Sequence, residues 1–350
     1  MKATATFERG RHDGIIGAVK ISTLGEFGLI GLIADAVKPT HPASSVASRR
    51  TIIGIGDDTA AWQGSDLVQL ATIDSLIEDV HFRFDWCSWE DLGYKSLAVN
   101  LSDIAAMGGQ ALYALVALSC PGDVDSDNVL DYYRGMTRLA LEHGVVIIGG
   151  NLTTSQMVTS TVSLVGEIRP DLLMTRSAAL PGDAIAVTGV LGGAAAALAL
   201  LDAGCLMTTH AHLLNSLLRP RARLTEAHVL AELGVRCAID ISDGLLGDLE
   251  HICSRSGVSA TIHSAQVPHF VDDAIPTGDQ TMFALTGGEN YELMFTCAPA
   301  MLKRVAAALS CPVTVVGEIM AAGASPSVIV LDARGEPVKI DRPGWRHFAA

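Results

Sequence analysis

The sequence predicts a two-domain α/β (α+β) protein. Its 350 residues exceed the usual size of one domain. Apolar residues make up 49% of the chain but aromatics only 5%, which suits Ala- and Gly-rich α/β layers better than an aromatic-rich sandwich. Apolar strands also alternate with helical periods along its length.

Residues 1–24 read as an arm, because Lys2, Glu8, Arg9, Arg11, His12 and Asp13 break any apolar run and exclude a signal peptide. Phe27, Ile30 and Ile33 recur at helical spacing from Leu24 to Ile33. After a polar stretch, Lys38 to Arg50, a strand at Thr51–Ile55 stops at Gly56-Asp57-Asp58, and a second, Leu67–Ile73, ends at Asp74. Trp89–Met107 is helical, with Asn100 and Asp103 on one face and Gly108-Gly109 as its stop. There follow a strand at Ala111–Leu118, a helix at Asp127–His143, a strand at Val145–Ile148 running into Gly149-Gly150-Asn151, and a strand at Val158–Ile168. Arg169-Pro170 closes a first domain, residues 25–170.

The second domain, residues 171–350, opens with Arg176 and Pro181-Gly-Asp. A strand at Ala184–Thr188, the segment Gly189–Gly193 and helices at 194–203, 210–218 and 221–233 follow. Ala238–Ile241 is a short strand, and Ser242-Asp243-Gly244 caps a helix whose Leu245, Leu249 and Ile252 share a face. The final third holds Phe283–Leu285, the Gly287-Gly288 turn, a strand at Tyr291–Thr296, a helix at Met301–Leu309 and strands at Val313–Gly317 and Val328–Leu331.

With 24 basic against 38 acidic side chains the formal charge is −14, which argues against a nucleic-acid or anionic-membrane partner. The longest apolar run, Ala194 to Leu201, is far short of the roughly 20 residues a spanning helix needs. Seven cysteines form no C-x-x-C pair and sit mostly in apolar stretches, as reduced thiols of a cytoplasmic protein do.

The informative residues are acids at segment ends and beside glycines: Asp57, Asp74, Asp103, Asp240, Asp243 and Glu289. Two unit charges about 4 Å apart at an effective dielectric near 20 repel by roughly 4 kcal/mol, so carboxylates converging on one cleft need cations between them. Asp oxygens suit magnesium, which usually also holds substrate phosphates. Taken singly, Gly56-Asp57-Asp58 reads as a solvated turn, and Asp103 as a helix-face carboxylate. Asp240-Ile-Ser242-Asp243-Gly is sharper, since a helix cap explains one polar residue and leaves Asp240 unexplained. No Walker loop, G-x-S-x-G elbow or H-E-x-x-H is present.

Together, Gly-Ile-Gly-Asp57-Asp, Asp74-x-Leu-Ile-Glu-x-Val-His81-Phe, Lys95-Ser-Leu-Ala-Val-Asn-Leu-Ser-Asp103-Ile-Ala-Ala-Met-Gly, Asp240-Ile-Ser-Asp-Gly-Leu, Gly-Gly-Glu289-Asn-Tyr-Glu-Leu and Gly-Trp345-Arg-His-Phe resemble the thiamine-monophosphate kinases of the aminoimidazole-ribonucleotide-synthetase superfamily. The resemblance spans about residues 24–348. It implies an N-terminal sheet that pairs across a homodimer, ATP near that interface, and a C-terminal α/β domain. It further implies Asp57, Thr72, Asp74, Asp103, Asp240 and Asp243 as magnesium ligands; Gly150, Asn151, Arg176 and Ser242 at ATP; and His81, Glu289 and Trp345 at thiamine monophosphate. No catalytic base is implied, because the acceptor oxygen is already ionised.

Four positions depart from that family's pattern, and the segment 149–155 also lacks the family's Arg. Asn151 replaces an acidic ligand, Ile73 a hydroxyl-bearing one, and Asn290 an Asp; Trp345 also stands for a usual Tyr. In the family arrangement Ile73 and Asn151 would touch the same ion. A relative that phosphorylates another acceptor, or a nucleotide-binding protein without turnover, stays open at this level.

Overall fold

The computed structural model describes residues 19–55, 59–205 and 207–345. Helix α1 (Ile21–Val37) starts before the expected Leu24 and breaks at Gly25, which has φ +69°. Leu29, Ile33 and Val37 are its buried positions and Ile30 is half-buried, whereas the side chain of Phe27 lies outside the described residues. A short α2 (Val46–Arg50) leads into β1 (Thr51–Ile53), which pairs with β2 (Ala61–Trp62).

Next come β3 (Val68–Ile77), α3 (Trp89–Ala106), β4 (Gln110–Cys120), α4 (Ser126–His143), β5 (Val146–Thr154) and β6 (Thr159–Ile168). They build a four-stranded sheet in the order β3-β6-β4-β5. Only β4 and β5 run parallel, as the α4 crossover between them demands. Asp74 does not end its strand: β3 continues to Ile77 because Ser75, Leu76 and Ile77 still pair with Thr161, Ser160 and Thr159. Likewise β5 runs through Gly149-Gly150-Asn151, its register shifting against β4 between Ala114 and Leu115. Gly150 is required there, since a Cβ would lie 1.9 Å from the Val116 carbonyl oxygen.

The chain then forms β7 (Ala184–Thr188), α5 (Gly193–Asp202), α6 (Ala211–Leu218), α7 (Leu224–Leu233), β8 (Cys237–Asp240), α8 (Leu245–Ser256), β9 (Val258–His263), α9 (Thr277–Thr286), β10 (Leu293–Cys297), α10 (Leu302–Ala308), β11 (Val313–Ala321) and β12 (Val328–Leu331). Their six strands make one mixed sheet in the order β12-β9-β11-β7-β10-β8. The sequence reading left out β9 and did not assign Phe283–Leu285 to the helix α9. In β9 the signal is present, as Val258, Ala260 and Ile262 alternate buried with half-buried neighbours. The α9 sequence Thr-Gly-Asp-Gln-Thr starts with polar and low-propensity residues that mask its period.

Helix α3 lies between the two sheets, and residues from Leu92 to Ala106 are buried on nearly every side. It meets α4 at very short range: a Cβ on Gly93 would lie 1.8 Å from the Tyr132 carbonyl oxygen, and one on Gly135 1.9 Å from that of Glu90. Glycine at these crossings lets α3 sink against α4 and bring its polar residues to the cleft. Gly93→Ala should therefore lower stability by about 3 kcal/mol, read as a shifted urea midpoint; an unchanged midpoint would show that the helices do not touch there.

Candidate active site

Along β3 the side chains alternate, so Thr72 and Asp74 point inward toward α3 whereas Ile73 is 65% exposed on the outer face. The Thr72 hydroxyl donates to Asp103 Oδ2 on α3. One residue earlier, Ser102 Oγ donates to Asp240 Oδ2 at 2.8 Å, at the end of β8. A single helical turn thus ties the inner face of the first sheet to the edge strand of the second. Asp74 and Asp103 line the same cleft. Burial pushes both upward, and for Asp74 the neighbouring Asp103, Glu289 and Asp243 add to the rise. Asp240 is 2% exposed and is pushed well above the carboxylate range by burial, then by Asp103. Arg176, on an exposed loop, favours the charged forms of Asp103, Asp240 and Asp248.

The turn after Asp240 is organised differently from the expected cap. Gly244 is the residue before α8, and no side chain of Ser242-Asp243-Gly244 caps it. Instead Asp248, from inside the helix, accepts the N–H groups of Ser242, Asp243 and Gly244, each at 3.1 Å. This frees the Ser242 and Asp243 side chains from capping. Burial, then Asp243, pushes Asp248 up to about 7. Asp243, Asp248 and His251 also offer ligand atoms within 4.8 Å of one another.

These elements enclose a cleft of about 790 Å³. It brings together Asp74, His81, Asp103, Asp240, Ser242, Asp243, Glu289 and Trp345, and Thr72 joins through Asp103. His81 Nδ1 accepts the Ile77 N–H at 3.1 Å, so a neutral ring carries its proton on Nε2. The C-terminal segment is pinned over the turn: Trp345 N–H donates to the Asp243 carbonyl at 2.9 Å and Gly247 N–H to that of Pro343 at 3.0 Å. Gly344 fits there because a Cβ would lie 2.7 Å from the Asp243 oxygen. Gly150 and Asn151 line a separate cleft of about 520 Å³ with Glu26, Ile30 and Ile33 of α1. Asp57 lies outside the described residues.

Several expectations change. Asn100 does not face the acids in a shared stripe; it is fully buried and its Nδ2 donates to the Ser96 carbonyl at 2.9 Å. Asn290 holds the backbone: its Oδ1 accepts the Gly192 N–H at 2.7 Å before α5, and its Nδ2 donates to the Gly287 carbonyl at 2.7 Å. Ile73 and Asn151 sit on edge strands β3 and β5, three strand spacings or about 14 Å apart. Within one chain they cannot touch the same ion. The sequence reading also gave no role to Lys95, Ser102 and Asp248. Lys95, Ser102 and Asp103 recur at helical spacing with Val99, a pattern that was legible.

Family models for AIR synthase related proteins match the chain in two parts, the N-terminal domain over residues 56–168 and the C-terminal domain over 181–329. A thiamine-monophosphate kinase of Escherichia coli strain K12 is 36% identical over 93% of this chain and 98% of its own length. That of Bacillus subtilis is 34% identical over 85% and 93%. Among solved structures, the thiamine-monophosphate kinase of Stenotrophomonas maltophilia superposes with a TM-score of 0.77 at 33% identity, covering 88% of this chain and 97% of that one. A structure described as AaThiL complexed with AMPPCP and TMP gives 0.72 at 30% identity, covering 95% and 100%. The hydrogenase maturation protein HypE, at 18% identity and a TM-score of 0.71, shares the fold. The chain belongs to the AIR synthase related proteins and, within them, to the thiamine-monophosphate kinase family.

The buried acids fix a sign for pH dependence. Asp74, Asp240 and Asp248 have folded pKa values raised above their unfolded ones, so the folded chain keeps protons that the unfolded chain has released. Their contribution is therefore present at low pH and is lost as pH rises from about 4 to about 8. The melting temperature should fall across that window. Differential scanning calorimetry in buffers at pH 5 and pH 8 checks this, and an unchanged melting temperature would contradict it.

Proposed function

We propose that the chain transfers the terminal phosphoryl group of ATP to thiamine monophosphate, giving thiamine diphosphate and ADP. The observation that carries this reading is the convergence of Asp74, Asp103, Asp240 and Asp243 with His81, Glu289 and Trp345 on one cleft. In this reading Thr72, Asp74, Asp103, Asp240 and Asp243, with Asp57, hold magnesium. The fit rests on the donor set, since four carboxylates, Asp74, Asp103, Asp240 and Asp243, converging on one cleft are apt ligands of a hard cation. When bound, magnesium supplies charge neutralisation between the acceptor phosphate and the triphosphate.

The chain's own residues do the positioning. Arg176 and Ser242 are assigned to ATP at this cleft, with Arg176 as the cation beside the acids, and Gly150 and Asn151, which line the separate cleft, to ATP held from a second chain. His81 is placed at the acceptor phosphate, Glu289 faces a cationic part of the acceptor, and Trp345 lies at the thiazolium. An ionised acceptor oxygen forms the new P–O bond while the bond between the β- and γ-phosphates breaks. No side chain has to remove a proton. The intact acids and the structural use of Asn290 favour this acceptor and turnover over a changed substrate or mere nucleotide binding.

The outer face of the four-stranded sheet, with Ile73 and Asn151, supports a homodimer paired through it. Magnesium and a cytoplasmic location belong to the same proposal; no helix among the described residues is long and apolar enough to cross a membrane.

Purified protein with ATP, magnesium and thiamine monophosphate should give equal amounts of ADP and thiamine diphosphate by chromatography. ADP without thiamine diphosphate would overturn the acceptor assignment. Asp103→Asn should lower kcat at least about a hundredfold with circular dichroism unchanged. Ile73→Lys should convert the dimer to monomer in sedimentation equilibrium, and a persistent dimer would place the interface elsewhere.

A further inference from the structure

Lys95 is 1% exposed, deep on α3, and its ammonium meets Glu289 Oε2 as an ion pair. The contact lacks the orientation of a hydrogen bond, so it acts through charge. The other oxygen, Oε1, accepts the hydroxyl of Tyr291 at 3.2 Å. Burial raises Tyr291 well above its ordinary value, which keeps that hydroxyl a donor. Both oxygens of Glu289 are thus held from the protein side, while the side chain stays 25% exposed to the cleft.

The backbone is under matching constraint. Glu289 has φ +65° and Tyr291 φ +52°, a region that costs a side chain of this kind energy unless its surroundings over-determine it. Glu289 N–H donates to the Ser242 carbonyl at 2.7 Å and Tyr291 N–H to that of Ile241 at 2.8 Å. Gly288 completes the close approach, as a Cβ there would lie 2.6 Å from the Ser242 oxygen.

A carboxylate serving only as an interdomain tie would need neither a strained backbone nor a buried lysine, because ion pairs form at the surface without either. We propose that Lys95 is a positioning residue, whose ammonium fixes the Glu289 carboxylate in the orientation that receives the cationic part of the acceptor. The chemistry recognised is a flat organic cation bearing a phosphate, and this part rests on the proposed function. Lys95 touches no substrate; it acts through Glu289.

The test compares Lys95→Met, Lys95→Arg, Glu289→Gln and the double variant Lys95→Met/Glu289→Gln. Lys95→Met should raise the KM for thiamine monophosphate about tenfold while the KM for ATP changes less than about twofold. In the Glu289→Gln background the same substitution should add no further rise, because its target is gone. If Lys95→Met fails to fold, the double variant removes the unpaired carboxylate and, with Glu289→Gln alone, still gives the comparison; a further rise in KM on adding Lys95→Met to Glu289→Gln overturns the proposal. Equal rises in both KM values, or a lower melting temperature with an unchanged acceptor KM, would reduce the pair to a structural tie. A wild-type protein inert toward thiamine monophosphate would defeat the proposed function instead. The crystal structure of the folded Lys95→Met or Lys95→Arg protein decides the positioning role whatever the acceptor. Glu289 should leave the Tyr291 hydroxyl in the Met variant and keep it in the Arg variant; a Glu289 unmoved in the Met variant overturns the proposal.

Discussion

The structure depends on bringing Asp74, Asp103 and Asp240 to one cleft, Asp240 buried and the other two half-buried. Two ionised carboxylates at about 4 Å and an effective dielectric near 20 repel by roughly 4 kcal/mol, several times the net contribution of a single neutral hydrogen bond. The arrangement survives because α3 supplies a partner on each side: Thr72 donates to Asp103, and Ser102 donates to Asp240. Those two bonds require α3 to lie against both sheets at once. The glycine crossings with α4 let it do so, and so a packing constraint at Gly93 and Gly135 is also a constraint on the acidic cleft.

Strain collects at the same place. The non-glycine residues with positive φ among those described, Asp79, Glu289 and Tyr291, all line the cleft. Such conformations cost on the order of 1–3 kcal/mol each, and each is held by a backbone bond to a neighbouring turn: Asp79 N–H to the Phe82 carbonyl, Glu289 to Ser242 and Tyr291 to Ile241. The two loops flank the acids from opposite domains. Rigid loops with strained backbones suit a site whose work is to hold two phosphates in line, because misplacement by about 1 Å costs rate heavily.

Much of this was legible in the sequence, for identifiable reasons. The strands at 184–188 and 328–331 were found at their observed bounds because they are short apolar runs between turn residues. The acids were found because they recur beside glycines. Asp74 was misplaced at a strand end, since an alternating strand that turns polar looks finished when its outer face is merely solvated. Asp248 escaped because its partners are backbone N–H groups, and a sequence shows no backbone geometry. Lys95 escaped for another reason: within Lys-Ser-Leu-Ala-Val-Asn-Leu-Ser-Asp, a lysine reads as the solvent edge of a helix until the helix is known to be buried all round.

The departures from the family pattern divide according to the face on which they lie. Asn290 uses both ends of its amide on backbone groups; an ionised Asp could accept from Gly192 but could not donate to Gly287. That exchange therefore tightens the loop carrying Glu289 without removing a cleft acid. Ile73 and Asn151 lie on the outer face of the first sheet at opposite edges, and an ion shared between them needs a second chain to close the gap. An exposed isoleucine on that face favours apolar contact over ion binding, so what this chain gives up in ligands it gives up at the outer face. The acids on the inner face, which phosphoryl transfer in the cleft would use, are separated from those changes by the sheet itself.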